Sequence, residues 1–376
     1  MPPVTIDGSN GITTPMYNGS ITANAVTPSV NMKNRIINGA MTIDQRNAGA
    51  SVTPTTSGSY TLDRWQVSLS QASKFSVQQD AGAVTPPVGF TDYLGVTSLS
   101  AYTVGASERF LINQQIEGYN VADLGWGTAN AKTITLSFWV RSSLTGTFGG
   151  AINNNDGSRS YPYSYTISSA NTWEQKSITI TGDTTGTWLT TNGSGIILRF
   201  SLGTGSTLSG TAGSWSGSTF FSATGATSVV GTNGATFYLT GVQLEVGSTA
   251  TSFDYRPYGQ EYDLCRRYCE VWNDSTYTAP LCMIAPYSGN TFQFAGAMPI
   301  YPKRTVPSVS LGAAGTFQLQ NYGTTYTLSA IGTTSLNSKS ILFTGTSSSN
   351  LSQYGQSLNL INGSISTNFV TISAEL

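Results

Sequence analysis

The chain has 376 residues, with 17 Lys and Arg against 18 Asp and Glu, a formal net charge of −1 at pH 7 and no histidine. That length exceeds one ordinary hydrophobic core, so two or three domains are expected, and without any block of Lys or Arg the electrostatic footprint of a nucleic-acid binder is missing. The lack of histidine removes together the commonest general base, the Ser-His and Cys-His nucleophile pairs and the commonest metal ligand.

Charged residues make up 9%, while 19 Tyr, 15 Phe and 7 Trp supply apolar area. Disorder by self-repulsion is therefore not expected, and the abundance of Ser and Thr suits strands and turns, so the chain reads as all-β. Residues 1–32 hold Pro2, Pro3, Pro15 and Pro28 among Gly, Asn and Thr, a composition that interrupts long regular elements and builds no core. This segment reads either as an arm that docks into a larger assembly or as a disordered tail. It has no charged n-region or apolar h-region, and no run approaches ~18 apolar residues, so neither a signal peptide nor a membrane span is expected and synthesis is expected in a cytoplasm.

Residues 33–255 read as one large β-sandwich. Strands are predicted at 65–70, 74–78, 93–99, 109–117, 133–140, 176–182, 195–202 and 236–246, each bounded by turn residues. In TITLSFWV the core face carries Ile134, Leu136, Phe138 and Val140, leaving Trp139 as the large side chain on the other face. Long loops rich in Gly, Ser, Thr and Asn are predicted around 145–165 and 203–235. The period then changes. Tyr258, Tyr262, Cys265, Cys269 and Trp272 are spaced 4, 3, 4, 3, which predicts a linking helix over 256–273 whose stripe packs on the sandwich or between subunits. Residues 274–376 read as a smaller C-terminal β module with hairpin-like Gly and Asn turns.

Little in the chain carries catalytic chemistry. Two carboxylates about 5 to 9.5 Å apart are what glycoside hydrolysis needs, and Asp80, Asp92, Asp156 and Asp183 lie near β loops without a spacing that singles out a pair. No catalytic residue is therefore assigned and the chain is not expected to be an enzyme. The run GTGSTLSG at 203–210 has no helix after it, so it is not a phosphate cradle. NNNDG at 153–157 offers one carboxylate, few for Ca²⁺, and Cys265, Cys269 and Cys282 lack zinc-site spacing and read as small apolar residues. No metal or cofactor is assigned. The composition does permit sugar binding, in which an aromatic ring takes the apolar face of a pyranose and neutral polar groups take the hydroxyls. Tyr161, Tyr163 and Trp215 in the first module, and Tyr287, Tyr322, Tyr326 and Tyr354 in the second, are the candidates; for each the competing reading is packing at an interface or on its own sheet.

Several segments carry a family resemblance. The strand ending in GVQLEVG, the link ATSFDYRPYGQE and the following LCRRYCEVW resemble the domain junction of tail-fibre and other distal virion proteins of tailed bacteriophages. NRIINGAMTIDQRNAG with YTLDRW is similar to the opening of their jelly-roll, carbohydrate-binding-like module, and MPIYPKRTVPSVSL to the strand-turn-strand after the helix. The resemblance implies a jelly-roll-like sandwich, a homotrimer, attachment to other virion proteins through residues 1–32, and adhesion to a host surface glycan by a tail fibre or related virion fibre. Two alternatives stay open: an architectural adaptor or head-decorating fibre without glycan binding, and a polysaccharide-cleaving tail tip.

Overall fold

The computed structural model describes residues 5–7, 11–13, 32–272, 280–286, 293–312, 317–321, 324–347, 358–362 and 370–376. The chain divides into two compact units, Met1–Lys33 and Asn34–Leu376. In the first, β1 (Thr5–Asp7) pairs antiparallel with β2 (Gly11–Thr13), with Ile6 opposite Ile12.

The second unit begins with a sandwich of two antiparallel five-stranded sheets. Its strands are β3 (Gln66–Leu69), β4 (Phe75–Gln79), β5 (Leu94–Ser98), β6 (Arg109–Glu117), β7 (Ile134–Ser142), β8 (Gly146–Asn153), β9 (Ser160–Ile167), β10 (Glu174–Ile180), β11 (Ser194–Thr204), the short parallel pair β12 (Ser209–Gly210) and β13 (Ser222–Ala223), and β14 (Thr236–Val246). The first sheet runs β10-β7-β14-β5-β4 and the second β3-β6-β11-β8-β9. Alternation puts Leu136, Phe138 and Val140 of β7 against Phe148, Ile152, Leu198 and Phe200 of the facing sheet, all 0% exposed. Each such side chain contributes about 1.5–3 kcal/mol by leaving water.

The segment expected as a loop around 145–165 is instead the hairpin β8–β9, in register from Gly146↔Ile167 to Asn153↔Ser160. Glycines in β8 and Pro162 in β9 mimic a loop in composition, yet β9 is an edge strand, where a missing N–H is tolerated.

After the sandwich comes α1 (Tyr258–Arg266), entered from Pro257. The helix stops well short of residue 273, because Cys269–Trp272 forms β15 and pairs with β23 (Val370–Ser373). Here β-prone residues with a waiting ladder override the helical spacing. β18 (Ser308–Leu311) completes that three-stranded sheet, and β16 (Pro280–Pro286), β17 (Gln293–Pro299), β19 (Phe317–Asn321), β20 (Thr324–Asn337), β21 (Ser340–Ser347) and β22 (Leu358–Asn362) close a six-stranded barrel. The protein is thus mostly β, a sandwich followed by a smaller C-terminal β module. Glu117 at the end of β6 ties the joint: it accepts from Arg267 Nε and Nη2 at 2.9 and 2.7 Å and from the Tyr268 hydroxyl at 2.7 Å.

Candidate functional site

The site starts from a fault in β14. Its register against β7 jumps from Thr240↔Trp139 to Gln243↔Ser137, and Gly241 takes φ 59 at the jump. This bulge turns Val242 toward the segment that enters the sandwich: its N–H donates to Gly39 O at 2.9 Å, and its carbonyl accepts from Asn34 Nδ2 at 3.0 Å. Beyond the bulge Gln243 and Glu245 face outward but are 0% and 3% exposed, because the link that follows β14 folds back over them. Thr251 donates to Glu245 through N at 2.9 Å and Oγ1 at 2.6 Å, and Asp254 N donates to Gln243 Oε1 at 2.8 Å.

That anchoring fixes Phe253 and Tyr255, two residues apart in extended chain, against Phe90. Ring centroids lie 5.1 Å apart for Phe90–Phe253, 5.6 Å for Phe90–Tyr255 and 4.9 Å for Phe253–Tyr255. Trp139 flanks them: a Cβ on Gly241 would stand 2.6 Å from Phe90 Cζ and 3.1 Å from Trp139 Cδ1. A cleft of about 150 Å³ opens beside this cluster, walled by Asn34, Thr42, Phe90, Phe253, Asp254 and Tyr255, and continuing to Tyr258 and Glu261. Tyr255 and Tyr258 are 58% and 65% exposed. Two carboxylates in the wall share one guanidinium, with Arg256 Nη1 3.0 Å from Glu261 Oε2 and Nε 3.9 Å from Asp254 Oδ2; Glu261 also accepts from Asn38 N, and Asp254 from Asn34 N at 3.4 Å. Open aromatic surface beside hydrogen-bonded polar groups suits an apolar sugar face with hydroxyls at its edge.

Trp215 belongs elsewhere. It packs with Trp126 and Trp188 at 5.3 and 5.5 Å, and the latter two lie 4.7 Å apart. All three indole N–H groups are spent on carbonyls, of Thr181, Lys132 and Thr185 respectively for Trp215, Trp126 and Trp188. Beside them Arg159 grips Asp183 at 2.6 and 2.9 Å. Trp215 is a half-buried packing residue at that end of the sandwich.

Tyr161 and Tyr163, expected in an exposed loop, point inward from β9 at 6% and 1% exposure. The Tyr163 hydroxyl donates to Arg199 O at 2.6 Å, and burial holds its phenol well above the usual range. Tyr326 is 8% exposed and lies in the core of the C-terminal module. Tyr287, Tyr322 and Tyr354 fall outside the described residues. In the expected packing stripe Cys265 and Cys269 are fully buried, and burial pushes the Cys269 thiol up to about 12. Trp272 packs 6.1 Å from Phe343, and Tyr262 is half-buried. Tyr258, at the exposed end, stacks on Tyr262 at 6.1 Å but faces solvent. The Cys282 side chain lies outside the described residues.

Among the carboxylates, Asp80 accepts from Tyr93 N at 3.0 Å and Asp92 from the Thr91 hydroxyl at 2.5 Å; burial first, and the charge of Asp92 after it, pushes Asp80 up to about 6. Asp156 is exposed and accepts from Ser158 N and Oγ. Sequence reasoning misses Phe90, Phe253 and Tyr255 as site residues, although the alternating aromatics of SFDYRPY are a visible signal.

No protein-family model and no curated protein matches the sequence. Among solved structures, the sandwich has distant similarity to carbohydrate-binding modules and to a phage tailspike domain. The enzymatically active domain of tailspike protein 4 of bacteriophage CBA120 aligns at 11% identity and a TM-score of 0.31, over 57% of this chain and 22% of that one. A putative sugar-binding protein from Bacteroides thetaiotaomicron VPI-5482 aligns at 11% identity and 0.34, over 57% of this chain and 100% of that one. The family 11 carbohydrate-binding module of the Clostridium thermocellum cellulase Lic26A-Cel5E aligns at 12% and 0.27, over 54% and 98%.

Proposed function

We propose that the chain is a non-enzymatic fibre protein of a phage virion, a tail fibre, that attaches to the host surface by binding glycan in the cleft of Phe90, Phe253, Tyr255 and Tyr258. The observation that carries the reading is the open aromatic surface of Tyr255 and Tyr258 beside a polar wall whose acids, Glu261 and Asp254, are held by Arg256 and backbone N–H groups. The virion assignment rests on the junction and module-opening segments that resemble phage fibres, and with it come the trimer and docking through residues 1–32. Each site buries little of a ligand, so adhesion would come from several copies acting on one surface, which raises avidity by a factor of order 10² or more. Because stacking and neutral hydrogen bonds dominate, adsorption of the purified protein to host cells should change little with salt. The test is a glycan array followed by host-cell adsorption across a salt series. Selective glycan hits and salt-insensitive adsorption are expected; a blank array with intact incorporation into virions would support the architectural adaptor instead.

A further inference from the structure

A different surface of the sandwich holds two arginines without counter-ions among the described residues. On the outer face of the second sheet Arg199 of β11 stands opposite Asn113 of β6 and Ala151 of β8, with Arg109 further along β6. The chain after β11 folds back over this face and brings Phe221 to both guanidiniums, whose Cζ atoms lie 4.7 Å (Arg199) and 5.2 Å (Arg109) from its ring centroid. Glycine permits that approach: a Cβ on Gly149 would stand 2.9 Å from Ala223 N.

Among the described residues neither arginine makes an ion pair. Their side-chain hydrogen bonds go to neutral groups: Arg199 Nε donates to Asn153 Oδ1 at 2.8 Å and Arg109 Nε to Ser68 Oγ at 2.9 Å. The neighbouring acid Glu108 is committed to Gly105 N and the Tyr102 hydroxyl, both at 2.8 Å through Oε2. Burial, and Arg109 after it, pulls Arg199 down to about 9, yet a guanidinium stays charged at neutral pH. The face therefore holds two like charges that folding leaves uncompensated, which is costly unless something else supplies the anion. Around them Asn113 Oδ1 and Ser222 Oγ are buried without a hydrogen-bond partner among the described residues.

We propose that Arg109 and Arg199 form a second binding site, for the carboxylate of an acidic sugar. The planar fork of a guanidinium matches a carboxylate, and Asn113, Ser68 and Ser222 place neutral polar groups beside the pair. The sugar half of this assignment rests on the glycan-binding reading above; the anion half does not.

The test is calorimetric titration of the full chain with an oligogalacturonate, its methyl ester and inorganic sulfate. The free acid should bind, the methyl ester should bind about tenfold to a hundredfold more weakly, and Arg199→Gln or Arg109→Gln should lose a similar factor. Tyr119→Ala, which removes an exposed ring outside both sites, should leave this binding unchanged. Without ligand, Arg199→Met should melt at or above the parent temperature, because it removes an uncompensated charge. Equal affinity for acid and ester, sulfate binding as tightly as the sugar, no binding of either sugar probe, or an Arg199→Met variant that melts well below the parent would each overturn the site. Loss of glycan-array hits together with retained oligogalacturonate binding would sink the cleft and spare this one.

Discussion

The Arg64 guanidinium lies 3.6 Å from the centroid of the Tyr268 ring, and the two residues come from opposite sides of the joint between the sandwich and the C-terminal module. Arg64 is 1% exposed and is paired with Glu375. Replacing it with Ala leaves Glu375, 7% exposed, to Arg46 at 3.0 Å and removes the cation from the Tyr268 face. Arg64→Ala should lower stability by about 1.5–3 kcal/mol in urea unfolding, the worth of a hydrogen bond to a charged group. A loss below about 1 kcal/mol would mean that the joint does not depend on this contact.

Gly241 marks the bulge that carries the cleft. Its φ of 59 and the nearby rings of Phe90 and Trp139 leave no place for a methyl group. Gly241→Ala should cost about 1–3 kcal/mol and displace Phe90, so it should weaken glycan binding more than its melting shift alone explains. Unchanged binding would show that Phe90 does not shape the site.

Tyr163 supplies a contrast between core and ligand roles. Tyr163→Phe removes only the hydroxyl bond to Arg199 O and should cost about 0.5–1.5 kcal/mol. Tyr163→Ala should cost about 3–5 kcal/mol through the cavity it leaves. A stable Tyr163→Ala protein with lost adsorption would restore this residue to the binding surface.

Acid should first stabilise the protein and then destabilise it. Burial pushes Asp63, like Asp80, up to about 6. Each therefore binds its proton more tightly folded than unfolded, and stability rises as pH falls from 7 through about 6 toward the ordinary carboxylate range. Glu117 and Glu270 are held below their ordinary value: burial alone would raise both, and the bonds from Arg267 and Tyr268 and from Lys303 and Arg266 more than offset it. Their contribution is lost as pH falls below about 4.5. Melting temperature should thus peak in mildly acidic buffer, and Asp63→Asn should flatten the slope between pH 5 and 7. A profile that falls steadily from pH 7 would contradict this.

Much of the sandwich is legible in the amino-acid sequence: β6 and β14 begin and end where alternation of apolar residues does. The β8–β9 hairpin and, beyond the sandwich, β15 are not, because there composition and period point in different directions. In β9 the Tyr161, Tyr163, Tyr165 alternation is the strand signal, hidden by Pro162 and by the glycines of β8. Cys269 and Trp272 continue a helical spacing, but their ladder partners in β23 lie about a hundred residues away and leave no trace nearby. The cleft is obscured for another reason. Phe253 and Tyr255 sit in a stretch that reads as a plain link, and bonds to Gln243 and Glu245 of β14 and to Asn34 and Ile36 turn it into a wall.

The central claim is that sugar binds where Tyr255 and Tyr258 open to solvent. It is tested most directly by titrating the best array glycan into the parent protein and a Tyr255→Ala/Tyr258→Ala variant matched for melting temperature. Loss of stacking on two rings predicts about a fivefold to 150-fold fall in affinity, at roughly 0.5–1.5 kcal/mol for each ring. Equal affinity in the two proteins would place the glycan elsewhere and contradict the account.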